Sequence, residues 1–204
     1  MTRTVAVIGG GPAGLMAAEV LSAGGCAVAL YDSMPSVGRK FLMAGRGGLN
    51  LTHSEPFEAF VSRYGAAEKL LHPILEAFPP NALVAWAEGL GQPTFVGSSG
   101  RVFPKTMKAS PLLRAWLRRL ASLGVELRPR HRFLGWSNAG AARFATPDGE
   151  TEIEARATVL AFGGASWPRL GSDGSWAAIL ENSGVSIAPL KQANCGFDIS
   201  WSAV

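Results

Sequence analysis

Two short apolar runs, Thr4-Val5-Ala6-Val7-Ile8 and Ala27-Val28-Ala29-Leu30-Tyr31, lack the in–out alternation of a half-exposed strand. Runs of this kind predict parallel strands buried on both faces. Between them, residues 12–23 carry Leu15, Met16, Val20 and Leu21 as the apolar members of a helix, closed by Gly24-Gly25 as a left-handed cap. A glycine-dense, basic stretch over 38–53 is too glycine-rich for a helix interior and too polar for a buried strand. Phe57 to Tyr64, Ala66 to Phe78 and Asn81 to Leu90 read as short helices interrupted at Pro79-Pro80, a helical excursion over about 55–92. A longer helix follows, with Ser110 as its cap, Pro111 in its first turn, Gly124 past its end and Leu113, Trp116, Leu117 and Leu120 as its buried stripe. Val125 to Arg128 predicts a third parallel strand. Residues 131–157 change texture to short strands parted by Asn138-Ala139-Gly140 and Pro147-Asp148-Gly149-Glu150, an antiparallel meander. Thr158 to Phe162 returns to the parallel sheet, and a last helix is expected from Gly174 to Asn182 with Asp173 as its cap and Gly184 beyond it.

The elements together predict an α/β chain with a parallel central sheet, a helical excursion and an antiparallel meander. At 204 residues, 48% hydrophobic, 17% charged and with 25 glycines, the chain suits one such domain and does not suit disorder. No apolar run is long enough for a transmembrane helix, so no membrane association is expected. A secretory signal at the N-terminus is rejected, because Glu19 and the glycines interrupt the apolar stretch. The net charge of +4 is carried by scattered arginines, for which an anionic cofactor is a sufficient reason, and no nucleic-acid partner is expected. Cys26 and Cys195 lie far apart without a Cys-x-x-Cys pair, and His53, His72 and His131 lack ligand spacing. That argues against a disulfide reductase or a metal site, and for a cytoplasmic location.

The chemistry sits in Gly9-Gly10-Gly11-Pro12-Ala13-Gly14, which follows the first strand and opens the first helix, with Asp32 closing the second strand. In this strand–turn–helix–strand context the pattern is a Rossmann dinucleotide fingerprint. Gly9 allows the tight turn, Gly11 the approach of a pyrophosphate, and Gly14 the packing of helix on strand. An acid at position 32 accepts hydrogen bonds from an adenosine ribose and repels a 2′-phosphate, which disfavours NADP in this site. The backbone at Gly45, Gly47 and Gly48 can donate N–H groups to an anion or to an electron-rich ring edge. Asn50 and Thr52 are candidate contacts. His53 could serve as a proton donor or a cofactor tether, and a capping or solvent-facing role is the plainer reading. Lys105 and Lys108 could meet an anionic substrate or merely line the surface.

Four blocks in order, GGGPAGLMAA, GRKFLMAGRGGLNLTHSE, GRVFPKTMKASPLLRAWL and TVLAFGGASWPRLGSDG, carry a wider resemblance. By these the chain resembles the BaiN-like NAD(P)/FAD-dependent oxidoreductases, also described as aminoacetone-oxidase-like flavoproteins, and the tail PLKQANCGFDISW is similar too. Leu49-Asn50 stands where many members have Cys-Asn, and His53 replaces a frequent Asn, as in a distinct subgroup. The resemblance implies a Rossmann-like FAD-binding domain over 1–190, with Gly9, Gly11, Pro12, Ala13 and Gly14 cradling the pyrophosphate and Asp32 on the ribose. It places Arg39 and Lys40 along the cofactor, the backbone of Phe133 against adenine, and Gly163 and Gly164 at a second flavin-contact turn. It further implies a small organic substrate and NAD(P)H as a possible external reductant. Members run to about twice this length, so residues 191–204 are expected to begin an inserted domain and the chain to be a fragment or a truncated product. The rival classes are a catalytically incomplete FAD-binding fragment, an NAD-dependent dehydrogenase and an RNA-modifying flavoprotein.

Overall fold

A computed structural model describes residues 4–45 and 47–191. The readings placed on Arg46, on Cys195 and on the inserted domain beyond Lys191 lie outside the described residues. The chain begins with β1 (Thr4–Ile8), α1 (Pro12–Ala23) and β2 (Ala27–Asp32), so the strand–helix–strand unit and the acid at its end form as the pattern predicts. A short α2 (Arg39–Ala44) follows, then β3 (Thr52–His53), α3 (Phe57–Ser62), a 3-10 turn at Gly65–Ala67, α4 (Glu68–Ala77) and α5 (Pro80–Gly89). Next come β4 (Thr94–Val96), β5 (Arg101–Pro104), α6 (Ala109–Ser122) and β6 (Glu126–Pro129). The meander β7 (Arg132–Trp136), β8 (Ala142–Thr146) and β9 (Gly149–Ile153) precedes β10 (Ala157–Leu160), a 3-10 turn at Pro168–Leu170 and α7 (Trp176–Asn182).

Among the described residues, four strands form a parallel sheet in the order β10-β1-β2-β6, with β1 paired on both sides. That order makes β1 the centre from which successive crossovers depart, a Rossmann arrangement. The alternation of β1 and β2 divides their side chains between two layers. Val5, Val7, Val28 and Leu30 pack under Leu15 and Ala18 of α1 and Leu113, Trp116 and Leu120 of α6. Ala6, Ile8, Ala29 and Tyr31 face Phe133, Ala142 and Phe144 of the meander. Helices therefore cover one face of the sheet and β7-β8-β9 the other. No helix of the described residues is long and apolar enough to cross a membrane.

Several local expectations are corrected. The stretch after Gly38 does hold a helix, α2, because Arg39–Ala44 contains no glycine and the glycines sit at its two ends. Residues 94–104 form two strands that join β3 in a second, antiparallel sheet in the order β3-β5-β4. Gly97 closes their hairpin, its N–H donating to the Arg101 carbonyl at 2.8 Å. α6 begins at Ala109 with Lys108 as its cap, so Ser110 lies inside the first turn and caps nothing. α7 starts at Trp176, and Asp173 instead takes the Ser175 N–H at 3.0 Å in a turn before it. On α1 the buried face is Gly14, Leu15, Ala18, Glu19 and Ser22, whereas Val20 stands 63% exposed. Of the helical excursion, α5 packs Trp86 and Ala87 inward, while α4 leaves Leu70 and Ile74 exposed, as is Phe78 just past its end.

Candidate functional site

The carboxyl ends of β1, β2 and β10 meet at one edge of the parallel sheet, where open α/β sheets bind ligands. A groove enclosing about 220 Å³ lies there. The glycines at its floor have different duties. Gly9 has φ +115°, and a Cβ built on it would stand 2.2 Å from the Ala161 carbonyl oxygen. A Cβ on Gly10 would meet Val37 Cγ1 at 2.4 Å, and one on Gly14 would meet the Gly9 carbonyl oxygen at 1.8 Å. These three glycines hold the turn together. A Cβ on Gly11 would meet no atom of the described residues within 4 Å. The space in front of Gly11 is therefore open, at the N-terminus of α1, whose Ala13 and Gly14 N–H groups precede the first intrahelical bond, Leu15 N–H to Gly11 carbonyl at 2.9 Å.

Asp32 closes the groove from β2. One carboxylate oxygen accepts the Gly10 N–H at 2.6 Å and the other the Met34 N–H at 2.7 Å. A carboxylate has about four acceptor positions, so two remain for a ligand hydroxyl pair. Burial raises the Asp32 pKa above the ordinary aspartate value, against the lowering effect of those two N–H groups and of Arg39. The sign follows directly. The folded chain prefers the neutral acid, so this contribution to stability is present at low pH and lost as pH rises through the raised pKa.

Two basic residues come from α2. Arg39 donates from Nη1 to Ser36 Oγ at 3.2 Å, while its buried Nε has no partner among the described residues. Lys40 Nζ donates to Ser172 Oγ at 2.8 Å, and Ser172 donates in turn to the Gly164 carbonyl. This pair draws the segment after β10 across the groove. Behind the groove, Phe133 packs on Phe144, Trp136 and Phe162 at ring distances of 5.7, 5.0 and 5.5 Å. At its rim Arg132 pairs with Asp173 at 3.7 Å. The Ser175 N–H and hydroxyl hold the Asp173 carboxyl below its ordinary range.

Of the residues singled out from sequence, Gly9, Gly11, Pro12, Ala13, Asp32, Arg39, Lys40, Phe133 and Gly163 line this groove. Gly14 lies on the buried side of the first turn of α1, against the Gly9 carbonyl, and the Gly164 carbonyl accepts from Ser172. Gly47, Gly48, Asn50 and Thr52 do not line it. Their segment is tied to the second sheet, with Leu49 N–H on the Met107 carbonyl at 3.0 Å and Leu51 N–H on that of Val102 at 2.8 Å. His53 belongs to that sheet as well: Nε2 bonds to the Ser99 carbonyl at 3.0 Å, and Nδ1 accepts the Glu55 N–H at 3.2 Å. Sequence reasoning missed Ser36, His131, Phe162, Ser172 and Trp176. His131 follows β6, whose Pro129 lies in register with Asp32, so only the strand pairing reveals it.

The groove can hold an elongated anion. It offers the N-terminus of α1, the cations Arg39 and Lys40 and the free acceptor positions of Asp32. The family model described as HI0933-like protein Rossmann domain matches residues 3–199. The chain is 26% identical over 191 residues to a 3-dehydro-bile acid delta(4,6)-reductase of Clostridium scindens, covering 93% of this chain and 46% of that protein. The fold is similar to a 3-ketosteroid-delta4-(5alpha)-dehydrogenase of Rhodococcus jostii RHA1, with TM-score 0.60, 17% identity and coverage of 78% of this chain and 45% of the other. It is also similar to a flavocytochrome c3 fumarate reductase, with TM-score 0.67, 21% identity and coverage of 89% and 40%. The chain thus spans less than half the length of each of these relatives.

Proposed function

The chain belongs to the HI0933-like Rossmann-domain family, and on that footing we propose that it is the FAD-binding part of a flavoprotein oxidoreductase. One observation carries the reading: the only fingerprint glycine whose Cβ position is open to the groove is Gly11, in a groove that Arg39 also lines. Those are the positions from which a pyrophosphate would be held. Gly11, Ala13 and the α1 terminus would cradle the phosphates, Arg39 would neutralise them, and Asp32 would take the ribose hydroxyls. Phe133 and Gly163 would flank the cofactor, with Pro12 and Lys40 completing its wall. Gly47, Gly48, Asn50 and Thr52 would belong to the flavin half, outside the enclosed groove. FAD supplies the redox chemistry when bound, and the chain's own residues bind, orient and neutralise it. The names of the relatives, two reductases and a dehydrogenase, support electron transfer to or from a small organic substrate. NAD(P)H as the external reductant and the cytoplasm as the location are part of the proposal on which those names do not bear.

The absorption spectrum of the purified chain, followed by release of the bound cofactor, tests the proposal. Flavin bands with FAD recovered are expected. A colourless protein that takes up NAD but not FAD would reject it. A second reading, that the 204-residue chain holds FAD yet turns over no substrate alone, is favoured by its covering 46% of the reductase it matches. Turnover with NAD(P)H by the chain alone would dismiss that reading.

Asp32→Asn is expected to weaken FAD about tenfold, because the amide keeps a single acceptor oxygen for Gly10, Met34 and the ribose. In the unsubstituted chain, affinity is expected to fall as pH drops through the raised Asp32 pKa, where protonation removes acceptors. Titration of both proteins across that range checks this. A pH-independent affinity would assign the ribose elsewhere.

A further inference from the structure

Lys40 is a half-buried cation of the groove wall without a carboxylate partner among the described residues. The acids of that wall are engaged elsewhere. Asp173 pairs with Arg132, and Asp32 accepts the Gly10 and Met34 N–H groups, with Arg39 as the cation acting on it. The Lys40 ammonium is fixed instead by a neutral group, the Ser172 hydroxyl at 2.8 Å. A Cβ built on Gly163, another residue of the groove wall, would stand 3.5 Å from the same Nζ. Gly163 lies just past β10, which pairs with β1 on the side away from β2. The Lys40 charge therefore sits on the β10 side of the fingerprint turn and Asp32 on the β2 side. Gly11, which follows β1, comes between them.

Ser172 is built to hold that charge. It is 3% exposed, and its backbone is tied to Trp167 in both directions, at 3.1 and 3.2 Å. Its hydroxyl hydrogen goes to the Gly164 carbonyl, which can only accept, so an oxygen lone pair takes the Lys40 N–H. A lysine stem gives up much rotational freedom when its ammonium grips an anion. Ser172 removes that freedom before a ligand arrives, while the remaining N–H donors of Lys40 stay available. A cation so held, with Arg39 and the α1 N-terminus in the same groove, fits an anion whose charge extends beyond one phosphate. We propose that Ser172 is a positioning residue, holding Lys40 Nζ where it takes the diphosphate of the cofactor together with Arg39 and the α1 terminus. The proposal rests on the FAD reading above.

Calorimetric titration with ADP and with FAD of the 204-residue chain, Lys40→Met, Ser172→Ala and the double variant tests this. Methionine keeps the stem and removes the charge. Ser172→Ala leaves both backbone bonds to Trp167 in place, since neither uses the hydroxyl. Lys40→Met is expected to weaken ADP about ten- to a hundredfold, the effect of a hydrogen bond to a charged group. Ser172→Ala is expected to weaken it about three- to tenfold, the effect of losing a pre-ordered side chain. FAD should lose the same factors. In the Lys40→Met background, Ser172→Ala is expected to cost no further affinity, because its effect passes through Lys40. A Ser172→Ala loss that persists in full without Lys40 would reduce Ser172 to a structural role and overturn the proposal. Unchanged ADP affinity in Lys40→Met, or a loss confined to FAD, would overturn it as well by taking Lys40 off the diphosphate. A parent chain that binds neither FAD nor ADP would instead overturn the cofactor reading itself.

Discussion

Gly11→Ala is expected to give a folded protein that no longer retains FAD, whereas Gly14→Ala is expected to lose much of its fold. The two positions are three residues apart and carry the same methyl. Gly11 has φ −78° and ψ −179°, an extended conformation that alanine adopts without strain. Its new methyl would project into open space, so the apo protein should melt as the parent does. That space is where the pyrophosphate must approach the backbone, and affinity should fall about a hundredfold, ~2.7 kcal/mol. At Gly14 the methyl would stand 1.8 Å from the Gly9 carbonyl oxygen, 3.0 Å from the Gly9 carbonyl carbon and 3.3 Å from Ala161 Cβ. Two of these atoms are backbone, so relief requires α1 to lift from β1 and β10. A cost of about 3 kcal/mol or more follows, at the upper end for overpacking. Thermal melting and FAD titration of both variants check the pair. If Gly14→Ala melts with the parent, or Gly11→Ala keeps parental affinity, the division between structural and ligand-facing glycines is wrong.

Legibility in the sequence followed the range of the signal. β1, α1 and β2 were readable because each is fixed by neighbours within a few residues, apolar runs for the strands and Gly25 (φ +82°) beyond the helix end. The meander was readable from its turn residues, since Gly140 and Gly149 both adopt left-handed φ. The β3-β5-β4 sheet was not, because its strands run two to four residues and are joined by pairing rather than by pattern. The hairpin around Gly97-Ser98-Ser99-Gly100 was its available local cue. The site divides the same way. Gly9, Gly11 and Asp32 belong to one local unit with a fixed spacing. Ser172 reaches Lys40 across 132 positions, and Trp176 reaches Phe162 through the turn that follows β10. Contacts made by chain reversal over that distance leave no periodic trace.

Glu19 shows how such a contact can govern stability from a position that reads as surface. It interrupts the apolar run of α1, yet it is 9% exposed. One carboxylate oxygen accepts the indole N–H of Trp116 at 2.6 Å and that of Trp86 at 3.1 Å. The other accepts Arg119 Nη1 at 3.0 Å. A single side chain on α1 thus joins α5 and α6, beside the edge-on packing of Trp86 and Trp116 at 4.7 Å. Glu19→Ala would strand two indole donors, one of them on a residue only 2% exposed, and leave a guanidinium half-paired. Each unpaired buried donor costs about 1–3 kcal/mol. The Arg119 contact adds little, because that side chain is 30% exposed and solvent screens it. The expected loss is about 3 kcal/mol, a drop in melting temperature of roughly 6–12 °C for a domain of this size. Glu19→Gln is the discriminating variant. Its single carbonyl oxygen can serve the indoles or Arg119 but not both, so it should lie between alanine and the parent. Because Glu19 lies outside the groove lining, FAD affinity per folded molecule should be unchanged in either variant. Thermal unfolding of the three proteins would reject the argument if alanine costs less than about 1 kcal/mol, the size of an ordinary surface substitution.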